Sequence, residues 1–458
     1  MYKQDFSRRE FLKQNSIAGL GALMATGIAP SIFANSLSAS DLPAILGGKP
    51  EFTEKWPKWP QWIAETDEKR VLEVLRSGVW SRDAVVTEFE NKWAKTIGSK
   101  RSLMVVNGTS ALAISLIQNN IGAGDEVLIP PYTYVATAVA VLNAGAMPVF
   151  VDTDPETFQI DPSKIEAKIT PRTKAIMPVH FAGLPADIIR IMDIAKKHKL
   201  IVIEDACQAH LAEINHQKIG TFGHAGCFSF QNSKNLPIGE GGAIVSDDDV
   251  FVDRCYSYHN FGFPFGAIIA NSSEISVLKG NKLRMSEYQA AIGLAQLTRL
   301  DHQTTTRNEN AEYLRSQMQS IPGIIPIKLV ENVTRGSHYI FPFRYKKEEF
   351  KELTRADFIA ALEAEGVSCL QSYPPLNTMP FLADALKSKN YQIAYSREKL
   401  DFGKYLIDNA CPENDKLCQE AIWFYHPMLL AGKSAMDHIA VAISKIHKYA
   451  GDIKKIRG

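Results

Sequence analysis

From Leu103 onward, short apolar runs alternate with longer segments of helical character, and this alternation limits the possible folds more than any other feature of the chain. Residues 103–106, 126–129, 147–152, 175–180 and 200–204 read as strands. Helices are expected between them over 109–119, 137–142, 163–169 and 186–198. Such a chain builds an α/β fold with a mostly parallel central sheet, helices on both faces, and ligands beyond the C-terminal ends of the strands. Asp205, directly after the strand at 200–204, falls on that edge.

The stretch 201–244 is the most informative within this frame. A buried strand runs into two carboxylates, Glu204 and Asp205; a run of small and β-type residues, 226–230, precedes a lone lysine, Lys234; the glycine-rich turn Gly239-Glu240-Gly241-Gly242 follows. An acid past a buried strand and a lysine in a polar loop suit pyridoxal 5'-phosphate. The acid keeps the ring nitrogen protonated so that the ring accepts electrons, and the amine forms a Schiff base with the aldehyde. Taken singly, a turn aspartate and a solvated loop lysine are the commoner reading.

The surrounding residues decide between them. Asn107-Gly108-Thr109-Ser110, Pro130-Pro131-Tyr132-Thr133-Tyr134, Asp152-Thr153-Asp154-Pro155, Pro178-Val179-His180, Glu204-Asp205-Ala206-Cys207-Gln208-Ala209-His210, Ser229-Phe230-Gln231-Asn232-Ser233-Lys234-Asn235 and Arg284-Met285-Ser286-Glu287 occur in this order. Together they resemble the DegT/DnrJ/EryC1/StrS family of sugar aminotransferases from about Gly47 to the C-terminal region. The resemblance implies fold type I and an internal aldimine on Lys234, the one catalytic residue assigned. It further implies phosphate contacts from Gly108, Thr109 and Ser229, a ring of Tyr134 stacked on the pyridine, Asp205 at the ring nitrogen and Gln208 near the ring hydroxyl. Where the family has Gly-x-Asn-x-Arg-Met, this chain reads Gly280-Asn281-Lys282-Leu283-Arg284-Met285, so Lys282 occupies the slot of the residue that reaches the neighbouring subunit's phosphate. Lysine can neutralise a phosphate there as a point charge. A homodimer with shared active sites is implied, as is transfer of an amino group from an amino-acid donor to a keto sugar or related ketone. Another pyridoxal phosphate reaction, and a non-catalytic cofactor- or sugar-binding protein on the same fold, are the alternatives. His180 and His210 are left out of the catalytic set; His338, Tyr339, Tyr373 and Pro374 fall where the family gathers substrate-facing residues.

The remaining features bound this reading. With 51 basic and 50 acidic side chains in 458 residues, the charge offers no reason to expect nucleic acid as a partner. Four parts are expected: a leader at 1–40, an arm and helix at 41–90, a large cofactor-binding domain at 91–300 and a smaller α+β domain at 301–458. In the leader, Ser7-Arg8-Arg9-Glu10-Phe11-Leu12-Lys13 matches a twin-arginine export motif and is followed by an uncharged stretch, 17–34. The expected route is the twin-arginine translocase, which carries folded cargo, and the expected location is the periplasm, with an uncleaved membrane anchor as the alternative. The Pro- and Trp-rich arm, 42–62, cannot be a regular helix, and a helix is expected from Thr66-Asp67 to Gly78. Charged helices are expected over 308–320 and 355–365, and a strand over 339–345. Six cysteines show no metal-ligand spacing, and no metal is expected; Cys411 and Cys418 are candidates for a disulfide, while Cys207 and Cys227 read as buried thiols beside the cofactor.

Overall fold

The structure is a computed structural model that describes residues 41–269 and 275–457. The twin-arginine motif and the uncharged stretch lie outside the described residues. Among those described, no helix is long and apolar enough to cross a membrane.

Seven strands form the central sheet in the order β1-β9-β8-β5-β4-β2-β3. They are β1 (Arg101–Val105), β2 (Glu126–Ile129), β3 (Met147–Phe150), β4 (Thr173–Ile176), β5 (Ile201–Asp205), β8 (Ala225–Ser229) and β9 (Gly242–Ser246). The pairs from β3 across to β8 are parallel, and β9 alone runs against its neighbours β8 and β1. Every residue of β2, β8 and β9 is buried, as expected for strands covered on both faces. Successive residues feed opposite layers: Val127 and Ile129 join one apolar cluster and Leu128 the other. Helices α3 (Gly108–Gln118), α4 (Ala136–Ala144) and α6 (Asp249–His259) supply Leu112, Val141 and Phe251 to the first layer. On the opposite face, α2 (Ala84–Ile97) and α5 (Ile188–His198) supply Phe89, Trp93 and Ile191. The mostly parallel sheet expected from the alternation is thus present.

A second sheet, β10-β12-β14-β13, is antiparallel and built from Ile324–Pro326, Ile340–Tyr345, Ala421–Tyr425 and Leu370–Gln371. It packs a separate cluster around Phe341, Phe343, Phe424 and Ile443. The two regions share α7 (Glu287–Met318), a 32-residue helix that packs on α1 (Ala64–Ser77) and α2 and, farther along, on Lys433–Lys448. The charged segment expected at 308–320 is its second half; the helix begins at Glu287 because Ser286 and Gln289 form a capping box.

Two expectations are corrected. Residues 163–169 are not an α-helix but two 3-10 turns, Pro162–Lys164 and Glu166–Lys168. Pro171 disfavours helical geometry at Thr170, leaving too short a run for an α-helix. All six cysteines are free. Cys411 caps the helix Pro412–Glu420 and Cys418 lies within it, so their Cα atoms are separated by about 10 Å along the axis, beyond disulfide reach. The arm lies on the body of the chain: Phe52 joins the second core, and the Trp56 indole donates to the Gly366 carbonyl at 2.9 Å. Helix α1 begins two residues before Thr66, with Ile63 as its N-cap, and ends as expected at Gly78, whose φ is +73°.

Candidate active site

The site lies at the strand C-terminal edge. Asp205 ends β5, and the alternation along that strand turns it and Glu204 to opposite sides. Glu204 is committed to structure: its carboxylate accepts the amides of Gly220, Phe222 and Gly223 at 2.7 to 2.8 Å and contacts the His180 imidazole at 3.1 Å. Asp205 is 5 % exposed, and its carboxylate accepts from the Thr137 hydroxyl at 2.8 Å and the Cys207 amide at 3.2 Å. Both donors are neutral, so the anion has no positive partner among its hydrogen bonds.

Helix α3 starts beside it. Its N-cap Asn107 accepts from the Ser110 amide at 2.8 Å, while the amides of Gly108 and Thr109, in the first turn, have no carbonyl four residues back to bond. This helix end is pressed onto the strand ends. A Cβ on Gly108 would meet Cys207 Sγ at 2.7 Å and Ser229 Cβ at 2.8 Å, and one on Gly242 would meet the Asn107 carbonyl carbon at 2.4 Å. The glycines at both positions are required by that approach.

Lys234 occupies the turn between β8 and β9, and the turn is fixed from three directions. Its own carbonyl accepts the Trp59 indole N–H at 3.1 Å, the Ser233 carbonyl accepts from Tyr425 at 2.9 Å and His426 at 3.0 Å, and the Asn235 amide donates to the Ser337 carbonyl at 2.8 Å. The Lys234 ammonium stands 4.2 Å from the centroid of the Tyr339 ring, and the Tyr339 hydroxyl is 2.9 Å from Ser233 Oγ. No carboxylate forms an ion pair with it among the described residues.

These groups face one cavity of about 400 Å³, within the usual range for small-molecule sites. Gly108, Thr109, Ser229 and Lys234 line it, and so do Tyr134, Asp205 and Gln208. Tyr134 is 54 % exposed, offering a free ring face; Gln208 Oε1 accepts from the Ala182 amide at 2.9 Å. Lys282 is not brought there. It is exposed, paired with Asn260 in an isolated bridge, its ammonium 5.9 Å from the Phe261 ring. Tyr339 and Tyr373 line the cavity, whereas His338 and Pro374 do not. His180 and His210 also stay outside it; His210 contacts the Ser229 carbonyl at 2.9 Å, and burial lowers its pKa to about 3. Burial, reinforced by Asp205, pushes the Cys207 thiol well up, so it packs as a neutral wall group.

Sequence reasoning missed Asn107, Thr137, Gln231, Ser233 and Glu240, all of which line the cavity. Asn107 carried a signal, an Asx residue at the start of an apolar helix; Thr137 carried none. No group of side chains suited to a metal ion occurs among the described residues.

The profile of the DegT/DnrJ/EryC1/StrS aminotransferase family matches residues 61–400. The chain is 34% identical over 419 residues to the L-glutamine:2-deoxy-scyllo-inosose aminotransferase of Streptomyces kanamyceticus, covering 88% of this chain and 96% of that protein. It is 34% identical over 416 residues to the L-glutamine:scyllo-inosose aminotransferase of Streptomyces griseus, covering 88% and 97%. Among solved structures, that of 3-amino-5-hydroxybenzoic acid synthase superposes with a TM-score of 0.74 at 29% identity, over 86% of this chain and 98% of the other. The chain belongs to the DegT/DnrJ/EryC1/StrS aminotransferase family and is an aminotransferase.

Proposed function

We propose that the cavity holds pyridoxal 5'-phosphate and that the enzyme moves an amino group from L-glutamine or another amino acid to a keto-cyclitol or keto sugar. The observation that carries this reading is the convergence of three groups on one cavity: the Asp205 carboxylate, the Lys234 amine and the free amides that open α3. The residues present fit the cofactor. A buried carboxylate with only neutral donors is suited to a ring N–H⁺, and a helix start flanked by the Thr109 and Ser229 hydroxyls is suited to a phosphate. Donor and acceptor are suggested by the names of the two inosose aminotransferases.

When bound, the cofactor supplies an electron sink for charge that develops on the substrate carbon. Asp205 holds a proton at the ring nitrogen, and Thr137 and the Cys207 amide hold Asp205. Lys234 Nζ would take the proton from the donor carbon as general base and, as general acid, deliver it to the cofactor carbon. The pinned turn and the Tyr339 ring limit where that amine can go. Tyr339 and Tyr373 also line the cavity.

The test is a single turnover of cofactor-loaded enzyme with L-glutamine, L-glutamate or L-alanine, scored by the keto acid released, followed by addition of an inosose or keto sugar. One equivalent of keto acid and amination of the acceptor are expected, with neither product from Lys234→Ala. Cofactor binding without turnover for any donor would make the chain a binding protein. Borohydride reduction and peptide mapping should find the pyridoxyl group on Lys234; an unmodified peptide from saturated protein would sink the reading.

The proposal extends to a homodimer with shared sites. Leu72 and Leu75 on α1, with Val79 and Trp80 after it, leave a large apolar surface exposed. Lys282, outside its own chain's cavity, is free to serve the partner's phosphate. Lys282→Ala is expected to lower cofactor retention in the purified dimer, and unchanged cofactor content would remove Lys282 from the site. Export through the twin-arginine route to the periplasm rests on the motif at Arg8-Arg9; recovery of only full-length protein in the cytosol would refute it.

A further inference from the structure

Next to the Lys234 turn, outside the cavity lining, a basic group is enclosed with nothing to bond. Arg307 of α7 is 0 % exposed, and Nε, Nη1 and Nη2 all lack a hydrogen-bond partner among the described residues. The Trp59 ring covers it, with its centroid 5.0 Å from the guanidinium carbon. His426 meets the same ring edge-on at 4.7 Å and holds the Ser233 carbonyl. His338, also 0 % exposed, has neither ring nitrogen bonded. Burial lowers the pKa of both histidines; the charge of Arg315, and then that of Arg307, adds to it at His338, and that of Arg307 adds to it at His426, while the Tyr425 phenol acts on Arg307 in return. Among the described residues no carboxylate pairs with it.

A guanidinium presents five N–H donors and no acceptor. A buried cation is strongly destabilising unless it is both paired with a counter-charge and hydrogen-bonded. Neutral water would satisfy the donors but leave the charge unmatched. We propose that Arg307 holds a small inorganic anion of the size of chloride in an enclosed site roofed by Trp59. The anion completes a support for the catalytic turn. Trp59 stacks on Arg307 with its face and donates its N–H to the Lys234 carbonyl, so filling the site steadies the arm and the turn without entering the cavity.

Thermal unfolding of the holoenzyme in sodium chloride, against sodium gluconate of equal ionic strength, tests this. Gluconate is too large for an enclosed site. A rise in Tm of about 2 °C or more in chloride is expected for the wild type, and no difference for Arg307→Met. Met fills similar volume without a charge, so the variant should melt at or above the wild type in gluconate. A wild-type Tm indifferent to the anion, or an equal shift retained in Arg307→Met, overturns the proposal. If the variant does not fold, wild-type crystals equilibrated in bromide decide: an anomalous peak within hydrogen-bond distance of Arg307 supports the site, and its absence overturns it. Neither readout depends on amino transfer.

Discussion

At the scale of single residues, the chemistry rests on how Asp205 is held. Its charge is the feature that neutral isosteres lack, so Asp205→Asn, whose oxygen can still accept the Cys207 amide while its NH2 donates to the Thr137 hydroxyl, should lower kcat by about a hundredfold or more, the size of effect seen when a preorganised electrostatic contact is lost. Single-turnover keto-acid release at measured cofactor occupancy checks this; a loss below tenfold would show that the charge is dispensable. Thr137→Val keeps shape and removes one charge-assisted hydrogen bond, which should weaken cofactor retention by about tenfold with a smaller change in kcat, read by dialysis and reconstitution. Asp205 and Lys234 were legible in the sequence because each ends a recognisable local pattern. Thr137 was not, because its partner lies 68 residues away, and the contact of Ser233 with Tyr339 spans 106 residues. No local pattern carries such distances.

At the scale of elements, the site depends on helices whose ends are satisfied from far away. Helix α2 begins at Ala84, and its N-cap Asp83 makes no side-chain cap. The Glu287 carboxylate, from the first residue of α7, accepts the amides of Asp83, Val85 and Val86 at 2.7 to 2.9 Å. Glu287 is 2 % exposed; of its three donors Val86 is buried, Val85 half-buried and Asp83 exposed. Glu287→Ala should therefore destabilise the fold by about 2 kcal/mol, because the buried Val86 amide is left unsatisfied and two further bonds are lost. Urea unfolding with an unchanged m-value checks it; a loss under about 0.5 kcal/mol would mean the amides find other partners. The Arg284-Met285-Ser286-Glu287 motif thus carries an architectural bond that its sequence match does not reveal. Elements with a full period and a cap, such as α3 and β2, could be placed from sequence to within a residue or two. The segment before Pro171 could not, since a short apolar run does not announce whether its turns close over three residues or four.

At the scale of the whole molecule, burial of histidine makes the fold sensitive to acid. Burial lowers His210 and His259 to about 3 and takes His338 and His426 well below the ordinary value, with nearby cations adding to it. In the unfolded chain each titrates near 6.5. Between about pH 6.5 and the folded values, unfolded chains therefore bind protons that folded ones refuse, and stability falls as pH falls through that window. His210 and His259 each contribute roughly 1–2 kcal/mol of loss between pH 7 and 5, and His338 and His426 act in the same direction. Glu90 and Asp415, which burial pushes up, act in the opposite sense but are outnumbered. Urea unfolding at pH 7, 6 and 5 should show a steep decline over this range. His210→Gln, which keeps a side-chain donor for the Ser229 carbonyl, should make that decline shallower by about one proton. A wild-type stability that is flat from pH 7 to 5 would mean that these rings take up protons in the folded chain as readily as in the unfolded one, and so are charged by pH 5. The enclosed cluster of Arg307, His338 and His426 would then carry more charge than one small anion can balance, so this titration also bears on what fills that cluster.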